Sequence, residues 1–267
     1  LQIIDGKNKE KSTDALPSIL SEALSVGFDT NIGHDFIEDA EKRYEFYHRL
    51  EEKVEFDLDM FNKITEGGLS NKTLNIALAG TGVGKSLFMC HMASAAISKG
   101  KNVLYITLEM SEERIAERID ANLMNIPIQE LGDLSKAMYD DRIKKINDKI
   151  EGRLIVKEYP TASAHSGHFK ALINELKLKR SFFPDIIFID YLNICSSSRF
   201  RAGSSANSYT IIKSIAEELR GLAVEQDVPI VSATQTTRGG YDNSDVSLTD
   251  TSESFGLPAT ADLMFAI

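Results

Sequence analysis

No apolar run in this 267-residue sequence approaches the ~18 to 20 residues that a membrane helix needs, so nothing in it reads as a bilayer span. Proline and glycine are sparse at 6 and 17 residues, which excludes a collagenous chain. The 42% apolar and 26% charged content excludes a wholly disordered one. Cysteine is nearly absent: Cys90 and Cys195 lie in apolar segments, without a CxxC pair or a histidine at zinc-finger spacing. That usage predicts a reducing compartment. No charged, apolar and small-residue series follows Leu1, so no signal peptide is read, and the chain is expected to begin within a longer protein.

Basic residues are outnumbered, 30 Lys and Arg against 40 Asp and Glu, and the net charge of -10 argues at first against a nucleic-acid partner. The distribution reverses that inference. Residues 1–60 hold 15 acids and 7 bases, net -8, which leaves the rest of the chain at -2. The acidity belongs to the front.

The length fits two average domains or one large α/β domain with an extension. In the first 33 residues, Ile19, Leu20, Ala23 and Leu24 form an apolar knot that predicts one short helix. From Asp35 to Phe56, the apolar positions Phe36, Tyr44, Tyr47, Leu50 and Val54 recur at helical spacing and predict an acidic amphipathic helix. Its stripe needs a docking surface, on its own domain or another. We therefore divide the sequence into a docking segment, residues 1–56, and a nucleotide-binding domain, residues 57–267.

Beyond Gly67 and Gly68 the pattern becomes short apolar runs alternating with helical stretches: 74–79, 102–107, 153–159, 185–192, 228–235 and 262–267. Unbroken apolarity predicts strands buried on both faces, and the intervening helices predict right-handed crossovers in a mostly parallel sheet. The fold class is α/β.

The sequence Ala79-Gly80-Thr81-Gly82-Val83-Gly84-Lys85-Ser86 follows a predicted strand and opens a predicted helix, the setting a P-loop requires. Small residues let successive amides turn inward onto phosphate oxygens, and the helix N-terminus adds partial positive charge. Lys85 is expected to reach the β and γ phosphates of ATP and Ser86 to ligate Mg²⁺. Ala79 stands where the pattern has its first glycine.

Asp190, closing a neighbouring apolar strand, suits the metal-holding carboxylate of such a site, although an Asp there can also cap a turn. Glu109 follows the strand 102–107 and precedes the N-cap candidate Ser111, so it is a candidate base for the attacking water. Acids in this stretch also suit a helix dipole. Gln235 ends the strand 228–235, where an amide can contact a γ-phosphate and report its loss to the loop 236–251. Between Tyr191 and Ala216 stand Arg199, Arg201 and Lys213 with no acid, plus Phe200 and Tyr209, a composition that suits single-stranded DNA or a solvated loop. Arg238 is a further candidate for that surface. His165 and His168, three residues apart, read as a loop and helix start, and His91 as packing.

Taken in order, AGTGVGKS, LYITLEMS, IIFIDYLNI, SATQTTRGG and TDTSESFGLPATADLMFAI resemble the motif series of DnaB-type replicative helicases from about residue 57 onward. SILSEALSVGFDTNIGHDF, ERIDAN and NSYTIIKSIAEELRGLAVE are similar to the T-even-phage branch of that family. The resemblance implies a RecA-like core, ATP-driven translocation on single-stranded DNA, a homo-hexameric ring, and action in the cytoplasm of a host cell. It implies primase and helicase loader as partners, and a linker helix that docks on the neighbouring subunit. Lys85, Ser86, Glu109, Asp190 and Gln235 would take the roles given above, with the loops at 196–208 and 236–250 facing the DNA channel. The family's arginine finger would lie past Ile267, which predicts weak turnover and a monomer for the fragment alone. Two rivals share the fold: a RecA-class strand-exchange recombinase and a regulatory ATPase that never touches DNA.

Overall fold

The structure, a computed structural model, describes residues 33–48, 51–200, 207–236 and 256–267. It divides into two units, Leu1–Leu50 and Glu51–Ile267. The apolar knot at 19–24, Leu50, Arg201, Arg238 and nearly all of the 236–251 loop lie outside the described residues.

In the first unit, Asp35 starts a turn by accepting hydrogen bonds from Ile37 N and Glu38 N at 2.9 and 2.8 Å. Helix α1, Ala40–His48, follows, with no residue buried. Phe36, Tyr44 and Tyr47 are all exposed. The helical reading of 35–56 is corrected at its far end. Residues 51–56 are not helical, and Val54 forms an antiparallel bridge with Leu69. Val54 N donates to Leu69 O at 2.9 Å and Leu69 N to Val54 O at 2.8 Å. Val54 and Phe56, two residues apart, are both buried, which is the period of an extended chain. The turn behind this bridge needs Gly68, whose φ is +129° and whose added Cβ would stand 2.4 Å from Val54 O.

The second unit continues with α2, Asp59–Ile64, then β1, Leu74–Ala79; α3, Lys85–Ser98; β2, Val103–Thr107; and α4, Glu112–Met124. Next come α5, Ile128–Leu131; α6, Lys136–Asn147; β3, Leu154–Glu158; α7, Ser166–Arg180; and β4, Ile186–Asp190. A 3-10 turn, Leu192–Ile194, leads toward α8, Ser208–Gln226; β5, Ile230–Gln235; and β6, Leu263–Ala266. The six strands form one sheet in the order β3-β2-β4-β5-β1-β6. All the pairings between these strands are parallel.

Every residue of β1, β2 and β4 is buried, as their unbroken apolarity predicts. Alternate residues serve opposite faces. Leu104, Ile106, Ile187 and Ile189 pack with α7 and α8, whereas Tyr105 and Phe188 pack with α3 and α4. Helices thus cover both faces of the sheet. Asp262, just before β6, accepts from Leu74 N at 2.9 Å and from Arg220 Nη2 at 2.8 Å, fixing β6 against β1 and α8. Among the described residues, no helix is long and apolar enough to cross a membrane.

His165 and His168 cap α7: Gly167 N donates to His165 Nδ1 at 3.0 Å, and His165 N to His168 Nδ1 at 3.2 Å. His91 is not a packing residue. It is half-buried, with Nε2 3.4 Å from Asp57 Oδ2 and Nδ1 3.1 Å from Asn122 Nδ2.

Candidate functional site

Parallel strands deliver their carboxyl ends to one edge of the sheet, and the candidate residues gather there. Register places Ala79 beside Gln235, and Thr107 beside both Asp190 and Glu158. Leu108 N donates to Asp190 O at 2.8 Å, tying the turn after β2 to the end of β4.

Gly80–Gly84 link β1 to α3 through a left-handed turn, with φ of +77° at Gly82 and +119° at Gly84. No atom stands within 4 Å of a Cβ built at Gly82, so its backbone is open on that side. The first turn of α3 follows at once and carries Lys85 and Ser86. Lys85 is buried, and its Nζ donates to Gly80 O at 3.3 Å. The ammonium also lies 5.5 Å from the ring centroid of Tyr191. Burial pulls its pKa below the usual lysine range, and the charges of Glu109 and Asp190 partly restore it.

Asp190 is fully buried. Its Oδ2 accepts from the Tyr105 hydroxyl at 3.0 Å, whereas Oδ1 is buried with no hydrogen-bond partner. Burial pushes this carboxyl above the ordinary range, and Glu109 adds to that; the hydroxyls of Ser86 and Tyr105 and the charge of Arg118 oppose it. A buried acceptor without a donor costs free energy unless a cation or donor arrives. The oxygen chemistry of Ser86 and Asp190, with one oxygen of Asp190 orphaned, fits a hard divalent cation.

Glu109 is exposed, in a turn closed by Thr107, whose hydroxyl accepts from Met110 N at 3.1 Å. It stands outside α4, whose N-cap Ser111 accepts from Arg114 N at 3.3 Å. Gln235 Nε2 donates to the Tyr191 hydroxyl at 3.3 Å. Tyr105 and Tyr191 are site neighbours that sequence reasoning missed. Within apolar strand sequences both read as filler, and only the fold shows where their hydroxyls point.

Arg199 and Lys213 lie together at some remove in sequence from these groups and share one acid. Arg199 pairs with Glu217, and Lys213 Nζ is 3.9 Å from the same carboxylate. The basic stretch is therefore less positive than its own composition suggests, because α8 supplies Glu217. The adjacent Glu218 accepts from Ser197 Oγ at 2.6 Å, Ser198 N at 3.0 Å and Ser166 Oγ at 2.9 Å, anchoring the start of that stretch.

A glycine-rich strand-to-helix turn after β1 that carries a buried lysine, together with an aspartate ending β4, one strand removed across β5 in the same parallel sheet, defines a P-loop core of the RecA-like α/β class. Residues 54–267 match the family model of the DnaB-like helicase C-terminal domain, and the chain belongs to that family. It is 47% identical over 266 residues to the DnaB-like replicative helicase of Enterobacteria phage T4, covering 98% of this chain and 56% of that protein. It is 28% identical to a probable plasmid replicative DNA helicase of Chlamydia psittaci, covering 77% of this chain and 45% of that one. A solved structure of a DnaB-like replicative helicase, described with its interactions with primase, aligns with a TM-score of 0.68 and 21% identity. That alignment covers 99% of this chain and 63% of the other. A second solved structure, of an isolated ATPase domain, aligns with a TM-score of 0.69 and 19% identity, over 88% of this chain and 83% of that one. At these identities the two structures bear on the fold, which is theirs. The chain spans about half the length of the curated relatives it matches. With this family, the recombinase and regulatory readings are not favoured.

Proposed function

We propose that this chain is the motor domain of a replicative DNA helicase, coupling ATP hydrolysis at subunit interfaces to movement along single-stranded DNA. The observation that carries the reading is Asp190, a buried carboxylate with Oδ1 unpartnered, at the edge of the sheet where the first turn of α3 carries Lys85 and Ser86.

In this reading the amides of Gly80–Ser86 grip the phosphates, and the buried Lys85 exchanges the Gly80 carbonyl for β- and γ-phosphate oxygens. Ser86 and Asp190 would hold Mg²⁺. When bound, that ion neutralises charge on the phosphate oxygens. Glu109, exposed in the turn after β2, orients the attacking water and takes its proton. Gln235 contacts the γ-phosphate and signals its departure to the residues that follow β5. Arg199 and Lys213, with Arg201 and Arg238, contact backbone phosphates of one DNA strand.

The domain division also belongs to this proposal. Within residues 1–56, the part ahead of Glu51 acts as a linker and docking segment, with α1 placing its exposed aromatic residues on a neighbouring subunit of a homo-hexamer, whereas 51–56 stay with the motor domain through the Val54–Leu69 bridge. Primase and a helicase loader are its protein partners, and the host cytoplasm is its place of action. The test is unwinding of a forked duplex by the full-length protein. Lys85→Ala should abolish ATP-dependent unwinding and single-strand-stimulated ATPase activity. Unwinding at the wild-type rate by that variant would overturn the motor assignment.

A further inference from the structure

Tyr105 lies in the middle of β2, fully buried, with its ring stacked on Phe188 of β4 at a centroid distance of 5.8 Å. A phenylalanine would fill the same space, so packing does not account for the hydroxyl. That hydroxyl donates to Asp190 Oδ2 at 3.0 Å, and behind it the Cys90 thiol donates at 3.9 Å. The terminal torsion of an aspartate is broad and roughly two-fold, so a carboxylate is oriented chiefly by its hydrogen bonds. Here one oxygen is taken and the other, Oδ1, has no hydrogen-bond partner.

We propose that Tyr105 is a positioning residue for the metal-nucleotide complex. By holding Oδ2 of Asp190, it keeps Oδ1 presented toward the P-loop. This inference rests on the reading of Asp190 as the metal-holding carboxylate. Without the hydroxyl, Oδ2 is a second buried acceptor lacking a donor, and the carboxylate loses the bond from β2 that selects which oxygen faces the P-loop. Partners one shell out from a metal typically carry 10- to 100-fold in affinity or activity, roughly.

The test measures binding of a fluorescent ADP analogue to the full-length protein, once with Mg²⁺ and once with EDTA. Tyr105→Phe should lower the Mg²⁺-dependent gain in affinity about tenfold and leave the EDTA value unchanged. A second variant, Phe188→Leu, removes the stacked ring but keeps the hydroxyl. It should lower the thermal unfolding temperature while retaining the Mg²⁺ gain. An unchanged gain in Tyr105→Phe, an equal loss with Mg²⁺ and EDTA, or a gain lost alike in Phe188→Leu overturns the positioning role. Asp190→Asn separates the two readings: if it keeps the full Mg²⁺ gain, the metal assignment of Asp190 is what fails.

Discussion

The side-chain amide of Gln235 donates to the hydroxyl of Tyr191 at 3.3 Å, joining the end of β5 to the residue that follows Asp190. The ring of Tyr191 in turn faces the Lys85 ammonium at 5.5 Å. A displacement at Lys85 therefore has a short physical route to β5. Tyr191→Phe cuts that route at its hydrogen bond and keeps the ring. Nucleotide affinity should hold, while the stimulation of ATPase activity by single-stranded DNA should fall about fivefold, the lower end of ordinary coupling between sites. Equal stimulation in the variant and the wild type would show that this contact carries no coupling.

Glu109→Gln keeps the size of the side chain and removes its basicity. Its exposed position in the Thr107–Met110 turn argues against a folding defect. Nucleotide binding should persist, and single-turnover hydrolysis should drop by about 10²- to 10⁴-fold, the range for loss of a general base.

If Arg199 and Lys213 contact DNA as proposed, Glu217 competes with the phosphates for both. Both pairs are partly exposed, so each contributes little, about 0 to 1 kcal/mol. Glu217→Gln should accordingly tighten single-strand binding about threefold at low salt, an effect that shrinks as salt screens the charges. Arg199→Ala should act in the opposite direction. Fluorescence anisotropy with a labelled oligonucleotide across a salt series measures both.

Burial pushes the Cys90 thiol up to about 12 and Cys195 higher still, so both thiols stay protonated at neutral pH. Thiol reagents at pH 8 should modify neither cysteine until the chain unfolds. The folded state holds the Cys90 proton more tightly than the unfolded state. The stability this contributes is complete below the ordinary value of 9.0 and is lost as the pH climbs from there toward about 12. Denaturant midpoints across that alkaline window should fall, and Cys90→Ala should flatten the slope.

At Gly68, an added methyl would meet the Val54 carbonyl at 2.4 Å and force an unfavourable positive φ. Gly68→Ala should destabilise the second unit by about 3 kcal/mol, read as a shift in urea midpoint at constant slope. Stability equal to wild type would mean that the 51–56 segment is not fastened to the core as described.

The inner strands were legible because each reads the same from both sides, whereas the edge strands β3 and β6 are only partly buried. Residues 186–189 must be apolar toward α3 and α4 and toward α7 and α8 at once, which leaves no polar alternation to misread. The P-loop was legible for a local reason, since amide geometry demands small residues in a row. The segment 35–56 was less so. Tyr44, Tyr47 and Val54 share helical spacing, yet Val54 also lies two residues from Phe56, and the partner that decides between those periods, Leu69, stands 15 residues on. Arg199 and Lys213 looked unopposed because their counter-charge, Glu217, is the first residue past the acid-free stretch, one helical turn beyond Lys213 on α8. Tyr105 was opaque for a similar reason: its polar atom acquires meaning only from Asp190, on another strand.

The placement of β1 between β5 and β6 also bears on how the molecule comes into being. Leu74 pairs with Ile230 and Asn75 with Leu263, so the strand that leads into the glycine turn finds its ladder partners only after most of the remaining sequence has been synthesised. Closing such long loops is slow, and exposed apolar strands invite aggregation in the interval. A nascent chain halted before Ile230 would carry every residue of the glycine turn with neither ladder partner of β1 yet made.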